Sequence, residues 1–135
     1  MLDRSLVNGG RVAMGSLFAT EAMTPAAQSA IQVLRAYIWP GLDYPTLEET
    51  HRLFDRRSNL RIIAQTHTGT HYLETLRYQR SFFDGRHREA AAAGFDQVFR
   101  RLWTFQFALR EALLTLGMLD AVHVVATHRN RGGRR

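Results

Sequence analysis

Residues 66 to 80, "THTGTHYLETLRYQR", place His67 and His71 four positions apart around Gly69 and follow them at once with Tyr72. Two imidazoles at that spacing can share a metal ion when one helical face carries both. The preceding run is rich in strand-forming residues and Gly69 reads as a strand-to-helix turn, so a common face is not expected. No carboxylate within the motif offers a third ligand, and catalytic zinc normally needs three from the protein. We expect no metal here.

Other site chemistry is equally thin. There is no G-x-S-x-G elbow, and Ser16 in "MGSLF" lies inside an apolar run rather than on a sharp turn. Neither a G-x-G-x-x-G nor a G-x-x-x-x-G-K-[ST] loop occurs, and the chain has no lysine, so all 18 basic residues are arginines. A loop that cradles a nucleotide-like cofactor is therefore not expected within this sequence. The lack of cysteine excludes disulfides, thiolate metal sites and a cysteine nucleophile, and suits a reducing compartment.

A net charge of +6 favours anionic partners, either phospholipid headgroups or nucleic acid. Arg56, Arg57, Arg61, Arg77 and Arg80 are dispersed, however, and Trp103 and Phe105 stand at the helical spacing of core residues, so nucleic acid is the less expected partner. The end "HRNRGGRR", residues 128 to 135, reads as a flexible basic tail. No apolar run of about 18 residues and no signal-peptide pattern is present, and we expect a cytoplasmic protein.

The elements that must position any site come next. A chain of 135 residues, 45% hydrophobic and 22% charged, is one domain's worth and buries roughly two-thirds of its unfolded surface. After a turn at "NGG", residues 8 to 10, "RVAMGSLFA" reads as a buried strand. Thr24 and Pro25 open a helix whose inward stripe is Ala27, Ile31, Leu34 and Ile38, and "WPGLDYP" breaks it. Thr46 and Glu49 form a capping-box pattern for a second helix to about Arg57, and "NLRIIAQTH" is a strand. Shorter helices follow over 70–83 and 86–92. Asp96 then caps the longest helix, with Leu102, Phe105, Leu109, Ala112 and Leu116 on one side. Gly117 ends it and "LDAVHVVATH" is the last strand. The alternation argues for an α/β sheet of three strands with flanking helices, small enough that its first strand lacks a neighbour.

Four stretches taken together, "LVNGGRVAMGSLF", "LRAYIWPGLDYPTLEET", "LRIIAQTHTGTHYLETLRYQRSFF" and "GFDQVFRRLWTFQFALREALLTLGMLDAVHVV", resemble in order the C-terminal half of the cyclopropane-fatty-acyl-phospholipid synthase family of S-adenosylmethionine-dependent methyltransferases. The resemblance implies that residues 1–127 are part of a class I, Rossmann-like methyltransferase domain, from its fifth strand to its last, with residues 128–135 as the tail. It implies further that the cofactor-binding half lies outside this sequence and that the chain alone is inactive. S-adenosylmethionine and bicarbonate are the implied cofactors, with no cofactor-binding residue in this chain. The implied partners are unsaturated acyl chains of phospholipids, a membrane surface and a chain that supplies the other half. A peripheral place at the inner membrane face and self-association through an open sheet edge go with these.

Family members methylate a cis double bond, and a tyrosine matching Tyr72 helps hold the bicarbonate that assists proton removal. Where the family has His or Gln, then Thr and Ile lining that pocket, this chain reads Gly15, Ser16 and Leu17. It also has Trp39 for a Phe and Arg110 for a Cys, and keeps Glu111. A non-catalytic lipid-binding module that complements a partner chain is the alternative expectation.

Overall fold

A computed structural model describes residues 10–128, in the order β1 (Arg11–Ala19), α1 (Pro25–Tyr37), α2 (Leu47–Arg57), β2 (Leu60–His67), α3 (Gly69–Asp84), α4 (His87–Ala92), α5 (Gln97–Thr115) and β3 (Leu119–His128). Most of the turn expected at residues 8–10, and the basic tail from 129 onward, lie outside the described residues. His128, assigned above to the tail, is the last residue of β3.

The helix starts are set by local chemistry. Thr24 Oγ1 accepts the Ala27 N–H at 3.1 Å, with Pro25 in the first turn, where its missing N–H costs nothing. Thr46 and Glu49 close a full capping box, Thr46 N–H donating to Glu49 Oε1 at 2.9 Å and Glu49 N–H to Thr46 Oγ1 at 3.1 Å. Those hydrogen bonds hold the exposed Glu49 carboxyl below its ordinary pKa, the backbone N–H of Thr46 foremost. Asp96 Oδ1 accepts the Phe99 N–H at 2.8 Å and starts α5. Gly94 and Gly117 take φ of +98° and +73° on either side of that helix, where a side chain would be strained.

β3 lies between the other two strands in the order β1-β3-β2, antiparallel to both, with a bulge between Ile62 and Ala64. Apolar residues gather on both faces of β3. On one face Leu119 packs with Ala27 and Ile31 of α1 and Leu113 of α5. On the other, Val122 and Val124 pack with Phe18, and with Leu47 at the start of α2.

Two expectations need correcting. β1 is not buried: Phe18 is its one buried residue, and Arg11, Ala13, Gly15 and Ser16 are exposed, because no strand covers its outer edge among the described residues. The inward face of α5 is also turned from the expected stripe. Phe105 is 36% exposed and Leu116 64%, while Gln106, Phe107 and Leu113 are buried. Periodicity alone does not say which of two neighbouring stripes meets α1, α3 and the sheet. Gln106 is acceptable there because Arg110 Nη1 donates to its Oε1 at 2.7 Å.

Candidate functional site

A cleft of about 840 Å³ opens on the α1 and α5 side of the sheet. Its floor is Gly15 to Leu17 of β1 and Ala121 to His123 of β3, its wall is the segment Trp39 to Tyr44 after α1, and Thr68, Tyr72 and Arg110 close it. A volume of several hundred cubic ångströms with a largely apolar lining and a few converging polar groups is the usual form of a small-molecule site.

Each wall has a local cause. Pro40 and Gly41 stop α1, and the chain that follows is fastened down: Arg35 Nε donates to the Leu42 carbonyl at 2.7 Å, and Ala19 N–H to that of Pro45 at 3.0 Å. β2 ends at His67 and α3 begins at Gly69, so Tyr72 falls in the first turn of the helix and points back over the sheet. Gly69 has a packing reason as well, since a Cβ there would come 2.6 Å from Asp120 Oδ1. That carboxylate receives the Nδ1 hydrogen bond of His67.

The four residues singled out from the sequence, Gly15, Ser16, Leu17 and Tyr72, all line this one cleft. Tyr72 accepts a hydrogen bond at its hydroxyl from Arg110 Nη2. The guanidinium also lies 5.7 Å from the centre of the Trp39 ring and 6.0 Å from that of Tyr72, within cation–π range of both. Burial pushes the Tyr44 phenol above its ordinary pKa, against the opposing charge of Arg110. A guanidinium flanked by two phenols and an indole can hold an anion, and the aliphatic floor can take a hydrocarbon chain.

His67 and His71 stay apart, one at the end of a strand and the other on α3, and His67 is engaged with Asp120. Among the described residues no group of three or more His, Cys, Asp or Glu could hold a metal ion. Glu111 faces α3, where Arg80 Nη1 lies 3.3 Å and Arg77 Nε 3.7 Å from its Oε1.

Sequence reasoning missed Tyr44 and His123. Gly15 pairs with His123 across β1 and β3, and a Cβ at Gly15 would meet the imidazole at 3.2 Å. A glycine in an apolar strand was the available signal, since it often marks the close approach of another group. The partner was not readable, because register is a tertiary fact. No helix among the described residues is long and apolar enough to cross a membrane.

Comparison with known proteins adds a sequence relative and a fold. The chain is 31% identical over 119 residues to tuberculostearic acid methyltransferase UfaA1 of Mycobacterium tuberculosis, a match covering 88% of this chain and 28% of the relative. Cyclopropane synthase MmaA2 of Mycobacterium tuberculosis superposes with a TM-score of 0.76 at 16% identity, over 87% of this chain and 44% of that one. Mycolic acid cyclopropane synthase CmaA1, in complex with SAH and CTAB, superposes with a TM-score of 0.72 at 12% identity over the same shares. At these identities the two structures show the fold alone. No family model matches. The chain thus spans less than a third of the curated relative and less than half of each of these structures.

Proposed function

We propose, from the sequence match to a tuberculostearic acid methyltransferase and the fold shared with cyclopropane synthases, that this chain is part of an S-adenosylmethionine-dependent methyltransferase of the cyclopropane synthase type and takes part in methyl transfer to an unsaturated acyl chain of a phospholipid. The observation that carries the reading is the match to tuberculostearic acid methyltransferase along 88% of the chain. The cleft supports it, because Tyr72 and the residues at 15 to 17 converge there beside an apolar floor.

S-adenosylmethionine supplies the methyl group in this chemistry. The described residues do not fit it by themselves, since no glycine-rich turn follows a strand, and cofactor binding falls on this reading to residues outside the sequence. What this chain contributes is the other side of the reaction. Leu17, Trp39 and Leu42 enclose the hydrocarbon and keep water from the reacting carbons. Tyr72, fixed by Arg110, holds the anion near which a proton leaves, bicarbonate on the motif reading. The net charge of +6 favours meeting phospholipid at an anionic inner membrane face.

A non-catalytic acyl-binding module is the second reading, favoured by Gly15, Ser16 and Leu17 standing where the family pattern has His or Gln, Thr and Ile. Transfer of labelled methyl groups to oleoyl phospholipid vesicles separates the two. We expect no labelled lipid from the chain alone, labelled lipid once the cofactor-binding half of a related methyltransferase is added, and a loss of at least roughly tenfold with Tyr72→Phe. Absence of label from every mixture, with acyl binding intact, would leave the module.

A further inference from the structure

A second concave surface, sharing no residue with the cleft, lies between α4 and the first turns of α5. It is a crevice of about 410 Å³ lined by His87, Gln97, Arg100, Arg101 and Thr104. The four α5 residues are spaced by three and four, which puts their side chains on one face of the helix, and His87 joins them from the start of α4. No carboxylate lines the crevice, and those nearby are engaged: Glu89 with Arg86 Nη1 at 2.9 Å and Asp96 with the Phe99 N–H at 2.8 Å. Asp84 stands 3.7 Å from His87 Nε2 and 3.9 Å from Arg80 Nε. Arg100 Nη1 donates to a neutral acceptor, the Phe95 carbonyl, at 2.6 Å, and the side chains of Gln97, Arg101 and Thr104 make no hydrogen bond or ion pair with the described residues. Arg77 and Arg80 on α3 differ, since Glu111 matches them. Two guanidiniums on one helix face without a carboxylate repel one another, and an anion between them removes that repulsion.

We infer that the crevice between α4 and α5 binds a phosphate group, carried by a lipid headgroup or free in solution. The inference goes beyond the proposed function and does not depend on what the cleft holds. Two guanidinium forks, an amide, a hydroxyl and an imidazole can donate to several oxygens at once, which suits a tetrahedral phosphate with its charge spread over three oxygens better than a flat carboxylate that one fork satisfies. The volume leaves room for the organic group that a phosphate ester carries. Phe95, Val98 and Phe99 are exposed at the same end of α5, an apolar margin of the kind that a lipid headgroup brings into contact with acyl chains.

Calorimetric titration of the 135-residue chain with inorganic phosphate at fixed ionic strength, and its sedimentation with vesicles of phosphatidylcholine with or without phosphatidylglycerol, test the site. Arg100→Gln combined with Arg101→Gln is expected to weaken phosphate binding by roughly tenfold or more, and Thr104→Val, which leaves the charge unchanged, by roughly threefold. Arg56→Gln combined with Arg57→Gln, the same loss of charge at the end of α2, is expected to change the affinity by less than about twofold. Thermal unfolding of each variant without ligand checks that it is folded. Phosphate binding without vesicle binding assigns the crevice to the free ion, and vesicle binding that needs phosphatidylglycerol and is lost with the crevice arginines assigns it to a headgroup; both uphold the inference. Affinities unmoved by the crevice variants, or lowered as much by the α2 pair, overturn it, as does a wild-type chain that binds neither phosphate nor vesicles. Each of these results leaves the reading of the cleft untouched.

Discussion

β3 and β1 pair with one another along nine residue pairs and are both mainly apolar, yet their surroundings differ. β3 buries Leu119, Ala121, Val122, Val124 and Ala126; β1 buries Phe18. The central strand has a partner on each edge and packed residues on both faces, whereas the outer edge of β1 is unpaired among the described residues. An apolar strand is therefore buried by its neighbours and not by its composition, and the cleft exists because the half-covered end of β1 forms its floor.

The largest effect expected from this contrast is on core stability. Leu119→Ala should cost about 2–5 kcal/mol, and Met14→Ala, on the partly covered strand, about 1 kcal/mol or less, both read from urea unfolding midpoints. Equal losses would erase the distinction between the strands. Gly69→Ala comes next at about 1–3 kcal/mol, since its methyl group would press on the Asp120 carboxylate that joins the start of β3 to His67 at the end of β2. An unchanged midpoint would mean that this end of the sheet yields as easily as β1.

Smaller effects test what holds the helices over the strands. Thr24→Ala removes the side-chain cap of α1, which packs on Leu119, and should cost about 1 kcal/mol in the same measurement. At α2, whose Leu47 packs near Phe18, the depressed pKa of Glu49 gives a stability contribution present above its unfolded value of 4.5 and lost as pH falls through the lower folded value. The stability difference between wild type and Glu49→Gln should accordingly fade on acidification below that range. A difference that grows with acid would reverse the sign.

The elements and caps were legible in the sequence because their causes are local: Pro25 and Thr24, the Thr46 and Glu49 pair, Asp96, and glycines at 94 and 117. The meeting of Tyr72 with residues 15 to 17 was legible only through the family resemblance, since α3 and β1 stand far apart along the chain. Three facts were hidden. The exposure of β1 depends on a neighbour rather than on its own residues, the turned face of α5 depends on what it packs against, and the His123 partner of Gly15 depends on register. Arg110 was readable as a departure from the family pattern, but its place between Tyr72 and Tyr44 was not.

The proposed function is a division of labour, in which these residues would build the acyl and anion side of a methyltransferase site and other residues would hold the cofactor. Thermal unfolding of the chain with S-adenosylhomocysteine and, separately, with a sub-micellar oleoyl ligand tests it most directly, because a ligand that binds only the native state raises stability by mass action. The account predicts a cooperative transition that moves upward with the oleoyl ligand, by several degrees at about 100 times its Kd, and does not move with S-adenosylhomocysteine. A transition raised by S-adenosylhomocysteine and indifferent to the oleoyl ligand would contradict it.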